Sequence, residues 1–112
     1  MRIDFLFFAD CPSHGPALER LRQVLDELDL RLAVNMREVK TEDEARELNF
    51  IGSPTIRLDG EDIDPEGMAG ETPGLSCRIY RLEDGRISPL PSADMLRRAI
   101  RKIIKPEPEN QE

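Results

Sequence analysis

Tryptophan is absent from this chain, tyrosine occurs once and phenylalanine four times. Three of the four Phe fall between positions 5 and 8, which marks that stretch as a central strand. Cysteine occurs twice and histidine once, so a tetrahedral zinc site built from them is short of a ligand. No apolar run approaches the ~18 residues that a membrane span needs. Basic residues are outnumbered, 16 against 23 acidic, for a net charge of −7. Phosphates are repelled by such a surface, and no stripe of Lys or Arg compensates, so neither nucleic acid nor membrane is an expected partner. The cluster Arg97, Arg98, Arg101, Lys102, Lys105 reads as helix-dipole complementation on a solvated face. The N-terminus leads into a strand rather than a signal peptide, and the expected location is the cytoplasm. In that compartment two cysteines point to catalysis, redox exchange or metal binding before a permanent staple. Internal repeats are absent too.

At 112 residues the chain suits one core. Its organising stretch is Ile3-Asp4-Phe5-Leu6-Phe7-Phe8-Ala9-Asp10-Cys11-Pro12-Ser13-His14. The apolar run reads as a strand covered on both faces. Leu18, Leu21, Leu25 and Leu28 then form a stripe at helical spacing. Pro16 fits only in a first turn, so the helix starts between Ser13 and Gly15, with Ser13 as N-cap, and runs to Leu28. Cys11 therefore sits at a strand-to-helix junction, where free N–H groups and the helix dipole favour a thiolate.

Arg31 to Val39 predicts a second strand with one exposed face, and Thr41-Glu42-Asp43-Glu44 is a capping box opening a helix to Leu48. Strand, helix, strand, helix implies a parallel pair with a right-handed crossover. Thr55 to Leu58 and Glu61 to Ile63 flank Asp59-Gly60, a hairpin turn. Pro54, after Gly52-Ser53, is compatible with a cis peptide bond. From Asp64 to Leu75 no periodicity is visible, as in a functional or mobile loop. Cys77 to Leu82 and Arg86 to Ile87 suggest a second small hairpin. Ser92 caps a last helix with the stripe Met95-Leu96, Ala99-Ile100, Ile103-Ile104. Pro106 ends it, and 106–112 reads as a disordered acidic tail after a domain spanning 1–105.

These residues resemble the thioredoxin superfamily: a first strand running into Cys11-Pro12-Ser13-His14, the βαβ unit, and Ser53-Pro54-Thr55 leading into a hairpin and a terminal helix. The resemblance implies an α/β, thioredoxin-like fold, a βαβ unit plus β-hairpin and C-terminal helix around a central mixed sheet. It implies Cys11 as the attacking cysteine, Pro54 as a cis-proline facing it, and Pro12, Ser13, Ser53 and Pro54 as the substrate-contacting residues. The substrate is then a protein or small-molecule thiol or disulfide, handled without a cofactor. One departure is plain, because His14 stands where Cys-x-x-Cys has its second cysteine. The chain is also similar to small bacterial thioredoxin-like proteins with Cys-Pro-x-His and a later Leu-Ser-Cys-Arg segment, here residues 75–78. Some of those carry the name alkylmercury lyase, a chemistry these residues do not imply.

Several roles stay open at the level of residues. Cys11 is either a small core residue or, as its junction position favours, a reactive thiol. His14 is either a proton donor and cation partner for that thiol or a surface histidine without a task. Only Cys77 can supply a resolving thiol, and the alternative is a packed strand residue. Two thiolates also suit a soft metal such as Cu(I) or Hg(II), so a non-catalytic metal or protein-binding module competes with an oxidoreductase. A homodimer through a sheet edge is a third reading. The acidic run Asp59, Glu61, Asp62, Asp64, Glu66 lacks the calcium-loop pattern and reads as a solvated turn. Asp10 is expected to satisfy loop N–H groups.

Overall fold

Ile3, Phe5 and Phe7 fall on one side of strand β1 (Ile3–Phe7), and Leu6 falls on the other, as the two-residue period of a strand requires. Each side meets its own apolar cluster. A computed structural model describes residues 1–104 of the chain; the expected tail, 106–112, lies outside the described residues. The elements that follow β1 are α1 (His14–Glu27), β2 (Val34–Glu38), α2 (Glu42–Leu48), β3 (Thr55–Leu58), β4 (Glu61–Asp62), β5 (Tyr80–Arg81), β6 (Ile87–Ser88) and α3 (Ala93–Ile104).

Four strands form a mixed sheet in the order β2-β1-β3-β4, with β1 and β2 parallel and the other two pairings antiparallel. Strand β1 is thus internal and hydrogen-bonded on both edges. On one face of the sheet Ile3, Phe5, Ile56 and Leu58 pack against Ala17, Leu21, Val24 and Leu25 of α1 and Leu96 and Ile100 of α3. On the other face Leu6 meets Val39, Ala45 of α2 and Phe50. The α1 stripe is rotated from the leucine spacing, because Ala17 and Val24 turn fully inward while Leu18 and Leu28 are only partly buried.

Local signals act where the residue types place them. Thr41 Oγ1 accepts from Glu44 N at 3.0 Å, while Glu44 Oε1 reaches back to Lys40 N at 2.8 Å. Asp59 and Gly60 both take positive φ, 51° and 88°, the conformation a two-residue hairpin turn demands. Ser92 Oγ accepts from Met95 N at 3.1 Å and starts α3. The stretch Asp64 to Leu75 is not wholly irregular. Pro65–Met68 makes one 3₁₀ turn, with the Asp64 carboxylate accepting from Gly67 N, since proline is pre-set for a first helical position.

Beyond that turn the chain returns alongside residues 50–53. Gly74 N donates to Phe50 O at 3.0 Å, Ser53 N to Ser76 O at 2.8 Å, and Arg78 N to Ser53 O at 2.9 Å. Ser53 and Cys77 are paired as a parallel bridge. Gly52 (φ 151°) permits this approach, because a Cβ there would lie 2.8 Å from Arg78 N and 2.9 Å from its Cα.

Candidate functional site

Cys11 follows the turn that ends β1, with its backbone N–H donating to Phe8 O at 3.0 Å. Its side chain is 1% exposed. Around the sulfur stand Ser13 Oγ at 3.2 Å, the Ser53 carbonyl at 3.6 Å and Cys77 Sγ at 2.8 Å. Both cysteines are free thiols, the first buried and the second exposed. The parallel bridge explains how two sulfurs 66 positions apart meet: pairing Ser76 and Arg78 to Ser53 lays Cys77 over the loop that faces Cys11.

Ser13 occupies the N-cap position of α1 but makes no side-chain cap bond. Its hydroxyl is turned to the sulfur instead. A capping residue has therefore been given over to the thiol, at a helix start where it would ordinarily satisfy an orphan N–H.

Burial pushes the Cys11 thiol up, yet hydrogen bonding from Cys77, then from the Ser13 side chain and backbone, with a last contribution from the nearby Ser53 side chain, outweighs it and holds the thiol below its ordinary value. Cys77 moves the opposite way: its hydrogen bond to Cys11, burial, and the Cys11 charge all raise it. Of the two thiols Cys11 is thus the one that ionises first, with Cys77 keeping its proton to higher pH. The Ser53 hydroxyl is fully buried and has no hydrogen-bond partner. A buried orphan donor beside a sulfur that ionises is a ready ligand for the thiolate.

The other residues singled out in the sequence take definite places. The Ser53–Pro54 peptide bond is cis, and Pro54 is buried. Pro12 is exposed at the rim. His14 is not on the sulfur: its Nδ1 donates to the Cys11 carbonyl at 2.7 Å, and its ring stacks on Phe7 with centroids 4.8 Å apart. That leaves Nε2 as the ring's free nitrogen. Asp10 is exposed and makes no side-chain hydrogen bond among the described residues.

Two supports of the site escaped the sequence reading. Arg78, beside Cys77, is 3% exposed. Its guanidinium holds Asp62 through two bonds of 2.6 and 2.7 Å, donates to the Asp64 carbonyl at 3.2 Å, and lies 4.5 Å above the Tyr80 ring. The Tyr80 hydroxyl donates to Pro54 O at 2.5 Å. Burial raises the Tyr80 phenol, so it stays a protonated donor. Contrary to the solvated acidic turn that the sequence suggests, the Asp62 side chain is 3% exposed and neutralised by Arg78, because the returning segment lays a guanidinium on it. The one available signal was the alternation Arg78-Ile79-Tyr80-Arg81, in which the apolar Ile79 faces solvent at 63% exposure and Arg78 and Tyr80 face inward.

Among the described residues no group of three or more His, Cys, Asp or Glu side chains is arranged to hold a metal ion, and no helix is long and apolar enough to cross a membrane. Comparison with family models, curated proteins and solved structures found no match to this chain.

Proposed function

We propose that this protein is a cytoplasmic thiol–disulfide oxidoreductase of thioredoxin-like fold, whose redox couple is Cys11 with Cys77. The observation that carries this reading is the 2.8 Å separation of the two sulfurs. A disulfide needs ~2.05 Å, a small further approach. Oxidation joins the two sulfurs, releases two electrons and two protons, and delivers the electrons to a partner disulfide, which leaves as two thiols. Polarisation of the pair supports the same reading, since lowering one thiol beside a raised one stabilises the thiolate that is released when a bridge between them opens. Its fold supports it as well: an internal β1 runs into the Cys11 turn and α1, and the Ser53–Pro54 loop before the β3–β4 hairpin faces that turn.

A soft-metal carrier is the weaker reading. Two sulfurs on one tetrahedral ion with metal–sulfur bonds of ~2.3 Å stand about 3.8 Å apart, and a linear pair stands farther still. A contact of 2.8 Å suits a shared proton or a covalent bond better.

The test is equilibration of the protein in glutathione buffers of graded potential, followed by mass analysis under non-reducing conditions. The expected product is a species lighter by two hydrogens, with one intramolecular bridge between Cys11 and Cys77 and catalysed reduction of a small disulfide. Persistence of both thiols across the whole range would reject the proposal.

A further inference from the structure

We infer that Cys77, not Cys11, is the sulfur that exchanges with outside thiols and disulfides, and that Cys11 is the internal leaving group. This rests on the dithiol–disulfide reading above and reverses the order that the helix-start position of Cys11 suggests.

Access separates the two sulfurs. Cys11 is 1% exposed, closed in by Ser13, the Ser53 carbonyl and Cys77 itself. The Ser53 backbone edge, which an extended partner strand needs for pairing, is already used in both directions by Ser76 and Arg78. That covering segment is fastened from behind, because Arg78 is tied twice to Asp62 and Tyr80 is bonded to Pro54. Cys77, by contrast, faces solvent. Thiolates displace along the sulfur–sulfur line, and which sulfur is attacked follows access and the stability of the sulfur that leaves. Cys77 belongs to an exposed residue that an outside thiolate can reach, whereas Cys11 is closed off on all but 1% of its surface.

The departing side is prepared to match. When the bridge opens at Cys77 the electron pair goes to Cys11 Sγ, where the Ser13 hydroxyl already points. The Ser53 hydroxyl, fully buried and without a partner, is the second donor available to it. The steps balance as follows. An outside thiolate bonds to Cys77 Sγ, the Cys11–Cys77 bond breaks, and Cys11 leaves as a thiolate. A second outside thiolate attacks the outer sulfur, releasing a small disulfide and leaving Cys77 to take a proton from water. Net, the protein disulfide and two thiols become the dithiol and one new disulfide. Re-oxidation by another small disulfide runs the same path backwards, with Cys77 joined first and Cys11 closing the bridge.

The oxidised full chain is mixed with limiting reduced glutathione, quenched with acid and mapped by peptide mass. Glutathione on Cys77 with a free thiol at Cys11 is expected. Glutathione on Cys11 in equal or greater amount overturns the assignment while leaving the redox couple intact. Absence of any Cys11–Cys77 bridge in the oxidised chain instead removes the couple, and the assignment with it. Where the adduct closes too quickly to trap, the single variants decide. Cys11→Ser is expected to take up glutathione from its disulfide at least about tenfold faster than Cys77→Ser, as access dictates. The opposite order overturns the assignment.

Discussion

Ser53 carries the clearest expectation at the scale of single residues. Its hydroxyl is buried without a hydrogen-bond partner, and it helps lower the Cys11 thiol. Ser53→Ala therefore removes a donor that only the thiolate rewards. The Cys11 thiol should titrate higher in that variant, followed by thiolate ultraviolet absorbance against pH. Stability of the protonated protein should change by less than about 0.5 kcal/mol, because no existing bond is lost. An unchanged titration would deny Ser53 its role. Tyr80→Phe behaves differently, for its hydroxyl is the donor to the buried Pro54 carbonyl. Leaving that acceptor without its donor should cost about 1–3 kcal/mol in urea unfolding.

Among elements, the decisive one is too short to be called a strand. Residues 76–78 are held by one bridge to Ser53 and by the Arg78–Asp62 pair. Burying two charges is costly, and their mutual bonds are the main offset, with the Asp64 carbonyl and the Tyr80 ring adding to it. Burial alone would lower the Arg78 guanidinium, and the hydrogen bonds and charge of Asp62, helped by the Asp64 charge, more than reverse this. Asp62→Asn keeps the shape but strands a buried cation, so about 3–5 kcal/mol should be lost. Asp62→Leu combined with Arg78→Met should recover much of that loss, and a denaturant double-mutant cycle reads the difference. Additive losses would mean the two side chains are not a unit. Gly52→Ala attacks the same element from beneath, since its Cβ would run into the Arg78 backbone. A further 1–3 kcal/mol, roughly, is expected from overpacking and an unfavourable φ.

For the whole molecule, the split pair makes stability depend on pH with a predictable sign. Cys11 is lowered in the folded state, so its contribution is present above the unfolded value and lost as pH falls through the folded one. Cys77 is raised, so its contribution is present below the unfolded value and lost as pH rises through the folded one. Both unfolded values lie near 8.5. The reduced chain should therefore exceed its Cys11→Ser, Cys77→Ser variant in stability most near pH ~8.5, with the difference shrinking on either side. Denaturation across that range under reducing conditions tests it, and a flat difference would show that folding shifts neither thiol. Oxidation adds a second effect. A bridge across the 66-position separation removes unfolded-state freedom worth up to about 4 kcal/mol, which should appear as a higher midpoint for the oxidised chain.

What the amino-acid order settles by itself is local. The nearly continuous apolar run from Ile3 to Ala9 specified a strand covered on both faces, Thr41 and Ser92 specified helix starts, and Asp59-Gly60 specified a turn. Each of those signals acts between residues a few positions apart, where period, φ preference or a cap leaves little choice. Even Ser13, correctly expected at a helix start, had its hydroxyl diverted by a sulfur two residues away. The tertiary structure alone decided that Cys77 covers Cys11, that the first cysteine is buried and the second exposed, and that Asp62 is a buried counter-ion. Such facts depend on bringing together segments separated by 16 to 66 positions. That closure has no short-range signature; it is set by which packed arrangement satisfies a buried Arg78 and a glycine with room for a passing backbone.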